Sequence, residues 1–509
     1  MPTALLAASP SDSVWTRIAR WFAPAGPVAA LPSPPVSRRG YDGAKTSRLT
    51  ADWYTPSSGP NTEVWGAQLP LRNRARDLVR NNPYGSRAVS ALTHNLVGNG
   101  ILPTCLHTDP AVRERVHALW SLWSTQCSVQ DDLDFAGLQT VMVRSWLESG
   151  ECLARRRWRR MEDGLAVPMQ IQLLESDFLN TQENGTLPNG GRVVQGVEFD
   201  AIDRRVAYHL WRSHPGDYGI GVPVQTGIAR VPAADVAHVY ESLRPGQVRG
   251  VSWLAPVITD LRDLDQYDQA EAVRKRAEAC AMAFVVPGDE AAASDDTDGI
   301  GVTVTDTDGT ILDRLEPGGI AVLRNGKDVR FTQPGQNGAY PEYVRTQLRT
   351  IAAGLRIPYE LLTTDLSQVN YSSYRAGWID FRRMVQMLQR QVIIPLFCRP
   401  AWRWFIEAAI AGGQLPPGDY PVRWTPPRFE DIDRLKEAQA AIAEIRAGIR
   451  SQQDVISENG DDPDQVLAEQ RAWLDMSDAV GISFDTDPRR PQVNQATAAP
   501  ISPQPETTA

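Results

Sequence analysis

DLSQVNYSSYRAGWIDFRR, residues 365–383, sets a dense run of hydroxyl and amide side chains directly in front of a helix-forming segment. Tyr371, Ser372, Ser373 and Tyr374 suit two kinds of chemistry: nucleophile and acid parts of an active site, or a polar surface that touches a partner without reacting. The first kind needs a base. No G-x-S-x-G elbow surrounds Ser372 or Ser373, and no histidine follows His238. Contact without reaction is the reading that remains, with Asn370 to Ser373 also placed to cap a helix starting near Tyr374.

The flanking segments frame this stretch with helices. Upstream, Tyr340, Val344, Leu348, Ile351 and Leu355 recur at helical spacing and stop at Ile357-Pro358, where the residue before proline is steered out of the helix. Downstream, Trp378, Phe381, Val385, Leu388 and Val392 predict an amphipathic helix in which Pro395 should impose a break or kink. Residues 252–284 predict a single helix of about 45–50 Å, with Leu254, Val257, Ile258, Leu261 and Leu264 as its apolar stripe. Between the two upstream helices, residues 287–335 lose that period; Asp308-Gly309 marks a hairpin turn, and ILDRL, IAVLR and VRF suit short strands.

Nearer the start, residues 22–62 are rich in Pro, Ser and Gly and suit an extended arm, with order beginning near Trp65. Asn82 and Pro83 read as N-cap and first helical residue, Val89, Leu92 and Leu96 as a buried face, and Gly98 as the stop. Arg72, Arg74, Arg76, Arg80 and Arg87 are expected on a solvated face. Helices over about 110–125 and 135–149 precede β signals: a hairpin from Glu151 to Glu175 turning at Glu162-Asp163-Gly164, then GRVVQGVEFD, RRVAYHLW and ADVAHVYE. The C-terminal part is helical, with Ile432, Leu435, Ile442, Ile445 and Ile449 as one stripe and Asp462-Pro463 starting another helix; beyond about residue 486 the composition is that of a disordered tail.

Composition narrows the function. No window approaches the roughly 18 uncharged apolar residues a membrane span needs, and the first residues lack a secretory n-region, so an intracellular, reduced setting without a membrane is expected. Five scattered cysteines without a C-x-x-C pair predict neither a disulfide framework nor a zinc ribbon. With 52 Lys+Arg against 61 Asp+Glu, the net charge of −9 is not that of a tight phosphate binder.

Motif searches for chemistry return little. The phosphate loop G-x-x-x-x-G-K-[ST] is absent and the six histidines form no H-E-x-x-H, so neither a nucleotide nor another cofactor is expected. Asp131, Asp132 and Asp134 with Glu175 and Asp177 sketch a two-metal site and leave a carboxylate- and metal-dependent DNA-processing enzyme as the rival function, although Asp134 equally reads as an N-cap. Asp295, Asp296, Asp298, Asp306 and Asp308 lack the twelfth-position Glu of a calcium loop. Arg155, Arg156, Arg157, Arg159 and Arg160 around Trp158 make the one dense basic cluster; strand alternation would send it to both faces.

Three segments, taken together, resemble the lambda-type family of tailed-bacteriophage portal proteins: LRNRARDLVRNNPYGSRAVSALTHNLVGNGI, RTIAAGLRIPYELLTTDLSQVNYSSYRAGWIDFRR and RWTPPRFEDIDRLKEAQAAIAEIRAGIRS. They stand in the family's order and cover most of residues 41–470. The resemblance implies an α+β portal-type subunit: an arm over 1–64, an α+β wing over 65–250, stem helices at 251–286 and 336–358 around a small β-containing clip at 287–335, a tunnel-loop region at 359–376, a long kinked helix returning to the wing over 377–427, a helical crown at 428–483 and a tail over 484–509. It further implies a non-enzymatic dodecameric ring at one capsid vertex of the virion, through which double-stranded DNA passes, docked by the terminase large subunit, a head-tail connector, and capsid and scaffold proteins. Ser367, Gln368, Asn370, Tyr371, Ser372, Ser373 and Arg375 are then the expected DNA-facing residues.

Overall fold

In the computed structural model the described residues are 55–217, 227–279, 340–367, 371–427, 434–458 and 463–482, strand segments between 283 and 331, and isolated positions 48, 52, 429, 484, 487 and 489. The chain divides into residues 1–58 and 59–509, and every element below belongs to the second unit. Most of the expected arm, the turn at Asp308-Gly309 and most of the tail lie outside the described residues.

Helix α1 (Pro60–Asn81) opens on a proline in its first turn, ahead of the onset expected near Trp65. Asn82 then ends α1 and starts α2 (Pro83–Val97), its side chain accepting from the amides of Tyr84 and Gly85 at 3.0 Å. Val89, Leu92 and Leu96 are fully buried, as their spacing predicts. Strand β1 (Leu102–Cys105), α3 (Pro110–Ser124) and α4 (Phe135–Ser149) follow, α4 capped by Asp134 through the Gly137 amide at 2.7 Å.

The hairpin forms as β2 (Glu151–Trp158) and β3 (Met169–Glu175), with Gly164 supplying a φ of 75° in the connection. A meander β4 (Gly185–Thr186), β5 (Arg192–Val194), β6 (Val197–Phe199), β7 (Arg205–Trp211) and β8 (Ile228–Pro232) makes a five-stranded sheet, and β9 (Val236–Tyr240) returns to pair with β2 in a three-stranded one. Leu153 meets Leu174 and Leu179 between the two sheets, whereas the opposite face of β2 packs into the main core.

Next comes an excursion. Helix α5 (Ile258–Ala279) leads to β10 (Ala283–Pro287), β11 (Val302–Thr305), β12 (Ile311–Arg314), β13 (Ile320–Ala321) and β14 (Gly326–Phe331), and the chain returns through α6 (Tyr340–Gly354). Among the described residues the strands pair only with one another, as β13-β10-β14 and β11-β12. At 22 residues α5 is about 33 Å long. The helix expected to reach residue 286 stops sooner, because Phe284, Val285 and Val286 prefer a pleated strand and Pro287 closes it. Tyr267 stacks on Tyr340 at 5.8 Å, and the Tyr340 hydroxyl donates to Asp268 at 2.9 Å, which joins outgoing and returning helices at one level. Burial and that bond to Asp268 push the Tyr340 phenol up to about 12. Tyr340→Phe keeps the ring contact and removes the bond; amide exchange over the first turn of α6 should quicken by about fivefold, the equivalent of about 1 kcal/mol.

Short α7 (Tyr359–Thr363) precedes α8 (Tyr371–Leu388), a π-helical segment (Gln389–Cys398), α9 (Arg399–Ala411) and β15 (Val422–Thr425), which pairs with β1 and brings the two ends of this body together. At Pro395 the chain stays helical but leaves regular α geometry. The proline lies inside the π segment, whose wider turn relieves the clash that a proline ring makes in an α-helix. Trp120, Trp123, Phe135, Phe397, Phe405 and Trp424 gather where these elements meet; Trp120 lies 5.0 Å from both Phe135 and Phe405. Helices α10 (Arg434–Arg446), α11 (Gln452–Glu458) and α12 (Pro463–Val480) follow, leaving Leu435, Ile449, Leu467 and Trp473 exposed. Among the described residues no helix is long and apolar enough to cross a membrane.

Candidate nucleic-acid interface

The candidate loop is built on the end of α6. Arg356 takes the left-handed conformation (φ 57°), and the amides of Arg356 and Ile357 return to the carbonyls of Ala353 and Ala352 at 3.1 Å, a paired closure of the helix usually given to glycine. Here the arginine is held from outside. Its guanidinium lies 4.4 Å from the Trp253 ring and 3.0 Å from Glu241, while the Trp253 indole donates to the Leu355 carbonyl at 2.9 Å. Pro358 then opens α7, whose Leu362 is buried and whose Leu361 carbonyl accepts from Arg87 at 3.2 Å.

From this anchored base the chain turns outward. Thr364 is also left-handed (φ 58°), and Asp365 accepts from the Ser367 amide at 3.0 Å. Hydrogen bonds from Ser367 hold the Asp365 carboxyl below the ordinary carboxylate range. Leu366 is 64% exposed and Ser367 exposed. Gln368 and Asn370 lie outside the described residues. Tyr371, Ser372, Ser373 and Arg375 fall within α8, so the helix begins earlier than the expected onset near Tyr374 and takes up the last part of the region expected at 359–376. Hydroxyl side chains are well tolerated at a helix start, which is why the loop and the first turn look alike in sequence.

Helix α8 carries two faces. Tyr374, Trp378 and Phe381 stack in succession at 5.8 and 5.3 Å, and Phe381, Val385 and Leu388 are buried. Arg375, Arg383 and Arg390 lie along the other side with exposed Ile379 and Met387. Cationic side chains are therefore spaced along the helix instead of packed into a continuous stripe.

The residues expected to serve metal chemistry do not converge as that reading requires. Asp134 is the cap of α4, and Asp132 accepts from Ser128 at 2.8 Å. Glu175 and Asp177 instead meet His214, with candidate ligand atoms within 4.8 Å of one another. Arg76 binds Glu175 at 2.7 Å and Asp177 at 2.8 Å, and Arg72 binds Asp177 at 2.8 Å, so guanidinium groups occupy the space a cation would take. Arg72 and Arg76, expected on a solvated face, are thus an inward-facing i,i+4 pair, with Arg72 buried. Burial alone would raise the Asp177 carboxyl; the two arginines outweigh it and hold the group below its ordinary range.

In the basic cluster, Arg156 ion-pairs with Asp235 at 2.5 Å and with Glu407, and Arg159 donates to Gln170 at 2.7 Å. Strand alternation divides the run, and no described arrangement focuses it into one phosphate site. Cys105, Cys127, Cys152 and Cys398 are buried and unpaired; burial pushes the Cys127 and Cys152 thiols up to about 12, away from nucleophilic thiolate.

One network has no motif to announce it. Glu151, fully buried, accepts from Arg249 Nε, Gln68 Nε2, His238 Nε2 and the Gly250 amide at 2.9 Å each. The four donors are scattered between residues 68 and 250, and the only sequence trace is an acidic residue directly ahead of the apolar Cys152-Leu153-Ala154.

The family described as "Phage portal protein, lambda family" matches residues 46–389. Similar curated proteins include the probable portal protein of Halomonas phage phiHAP-1, 28% identical over 88% of this chain and 90% of its own, and portal protein B of Escherichia phage lambda, 25% identical over 85% and 91%. The portal protein of Escherichia phage N15 is 24% identical over 82% of this chain and 86% of its own. Among solved structures, a chain from the neck of the native gene transfer agent particle, computed with C12 symmetry, aligns at TM-score 0.41 and 16% identity, covering 76% of this chain and 94% of that one. With its mixed helices and mostly antiparallel sheets the protein is of the α+β class. The chain belongs to the lambda family of phage portal proteins.

Proposed function

We propose that this portal protein works as one subunit of a closed, dodecameric ring at a single capsid vertex, a passive channel for double-stranded DNA during packaging and ejection. The observation that carries the proposal is the excursion: α5 leaves the main body, the chain makes strands that, among the described residues, pair only among themselves, and α6 returns beside α5. In a ring such limbs stand side by side as stem (251–286 and 336–358) and clip (287–335), with 65–250 as wing and 428–483 as crown. The clip is where the terminase large subunit would dock and supply the ATP hydrolysis for which this sequence has no phosphate loop. The head-tail connector, the major capsid protein and scaffold would meet the outer segments. Exposed Leu435, Ile449, Leu467 and Trp473 support association of the C-terminal helices with further copies or partners.

In this arrangement the segment at 359–376 faces the axis. Ser367, Gln368, Asn370, Tyr371, Ser372 and Ser373 offer short-lived hydrogen bonds, and Arg375 is the fixed cation among them. Neutral donors and acceptors favour sliding, since each exposed ion pair is worth roughly 0.5–1 kcal/mol and a ring multiplies it. Ser367→Lys should therefore reduce the DNA packaged per particle by about tenfold, whereas Ser367→Ala should stay within about twofold; nuclease-protected DNA is the measurement.

Assembly tests the proposal. Mass photometry of the purified chain should give a discrete species at twelve times 56.2 kDa. A monomer or dimer that cuts DNA with magnesium, and stops on Asp131→Ala or Asp177→Ala, would replace the channel with the rival enzyme.

A further inference from the structure

The start of β7, the end of β9 and the junction of α8 with the π segment enclose an open cleft of about 570 Å³ that plays no part in the loop described above. Arg205 stands on one wall. Its guanidinium lies 5.9 Å from the Phe199 ring and 5.4 Å from the Tyr240 ring, and its hydrogen bonds go to the phenol oxygens of Tyr208 and Tyr240. Tyr240 donates its own proton to the Gln247 carbonyl at 2.9 Å. Among the described residues no carboxylate pairs with Arg205, and the one acid in the cleft, Glu241, is engaged by Arg356 at 3.0 Å. The opposite wall is apolar: Met387, Leu388, Val392 and Leu396, with Ser242 and Gln391 also lining the cleft.

A largely desolvated cation bonded only to neutral phenols is incompletely satisfied, since buried charge is stable when paired. A free phosphate would satisfy the guanidinium but leave its other oxygens against the Met387, Leu388 and Val392 wall. A carboxylate on an aliphatic stem matches both walls. Met387 on that wall is 39% exposed, and a chain with 61 acidic against 52 basic residues brings the needed charge in every copy. We propose that this cleft receives a carboxylate-bearing side chain from a second copy of the chain, so that Arg205 is an inter-subunit contact. The proposal rests on the ring reading and gives it one defined joint.

The test uses the full chain carrying Arg205→Lys and a zero-length carbodiimide, which joins an amine to a carboxylate only when the two touch. Assembled Arg205→Lys should yield at least about tenfold more covalent dimer than wild type. Mixed 14N and 15N assemblies should then place the introduced lysine in peptides linked to Asp or Glu of a differently labelled chain. Arg205→Glu, with melting unchanged, should raise the concentration for half assembly by about thirtyfold. Rings in which the introduced lysine is linked only within its own chain, or not at all, would overturn the proposal and leave the ring standing. So would Arg205-dependent binding of inorganic phosphate in a protein whose rings are indifferent to Arg205→Glu. Wild type that never assembles would remove the ring and the joint together.

Discussion

Glu151→Ala should destabilise the fold by about 3–5 kcal/mol, because it leaves the Arg249 guanidinium, itself fully buried, without a counter-charge. Chemical denaturation followed by tryptophan fluorescence measures it, and Glu151→Met combined with Arg249→Met should recover most of the loss, since an apolar pair imposes no desolvation of charge. The network also fixes a pH dependence. Burial alone would raise the Glu151 carboxyl, but Arg249 and His238 outweigh it and hold it well below the carboxylate range. His238 is lowered by burial, against the pull of Glu151. A neutral imidazole donating Nε2–H to Glu151 leaves only an acceptor, Nδ1, without a partner, and that is the buried atom found unsatisfied. Both folded-state values are depressed, so the stabilisation is complete above the unfolded values and is lost on acidification. Stability should begin to fall below about pH 6.5 and steepen below about pH 4.3. Glu151→Gln should flatten the lower part of that curve.

Gly250→Ala should cost about 3 kcal/mol despite adding a single methyl group. A Cβ at Gly250 would overlap the Gly150 carbonyl oxygen, and the reciprocal Cβ at Gly150, where φ is +91°, would come within 2.5 Å of the Val251 carbonyl carbon. The obstacle is backbone on both sides, so no rotamer change relieves it. This contact sets the path into α5: the Trp253 amide donates to the Leu147 carbonyl at 3.0 Å just beyond it. Hydrogen exchange in α5 should therefore rise in Gly250→Ala along with the loss of global stability. Gly66→Ala is the control, since nothing lies within 4 Å of the added methyl group and α1 should gain about 0.5–1 kcal/mol from it.

Local signals in the sequence translated well. Asn82-Pro83 and Asp134 each act through neighbours a few residues away, and each forms as its chemistry predicts. Long-range pairing was the part hidden from view. Arg72 and Arg76 looked solvent-facing because their partner Asp177 lies about a hundred residues on, and Glu151 looked unremarkable because its donors come from three separate segments. Pro395 does interrupt the regular α-helix, as a π segment whose room for the ring no local pattern announced. The tunnel-loop residues followed from the family resemblance, and a run of hydroxyl and amide side chains does not separate a loop from the first turn of the helix behind it.

A symmetric cryo-EM reconstruction of the purified full-length protein tests the channel most directly. The expected result is a closed ring with an axial opening of roughly 25–40 Å, set by the width of a hydrated duplex, with residues 364–375 nearest the axis and the strands at 283–331 at one mouth. A ring without a duplex-sized opening, or one that turns 364–375 to the outside, would contradict the account.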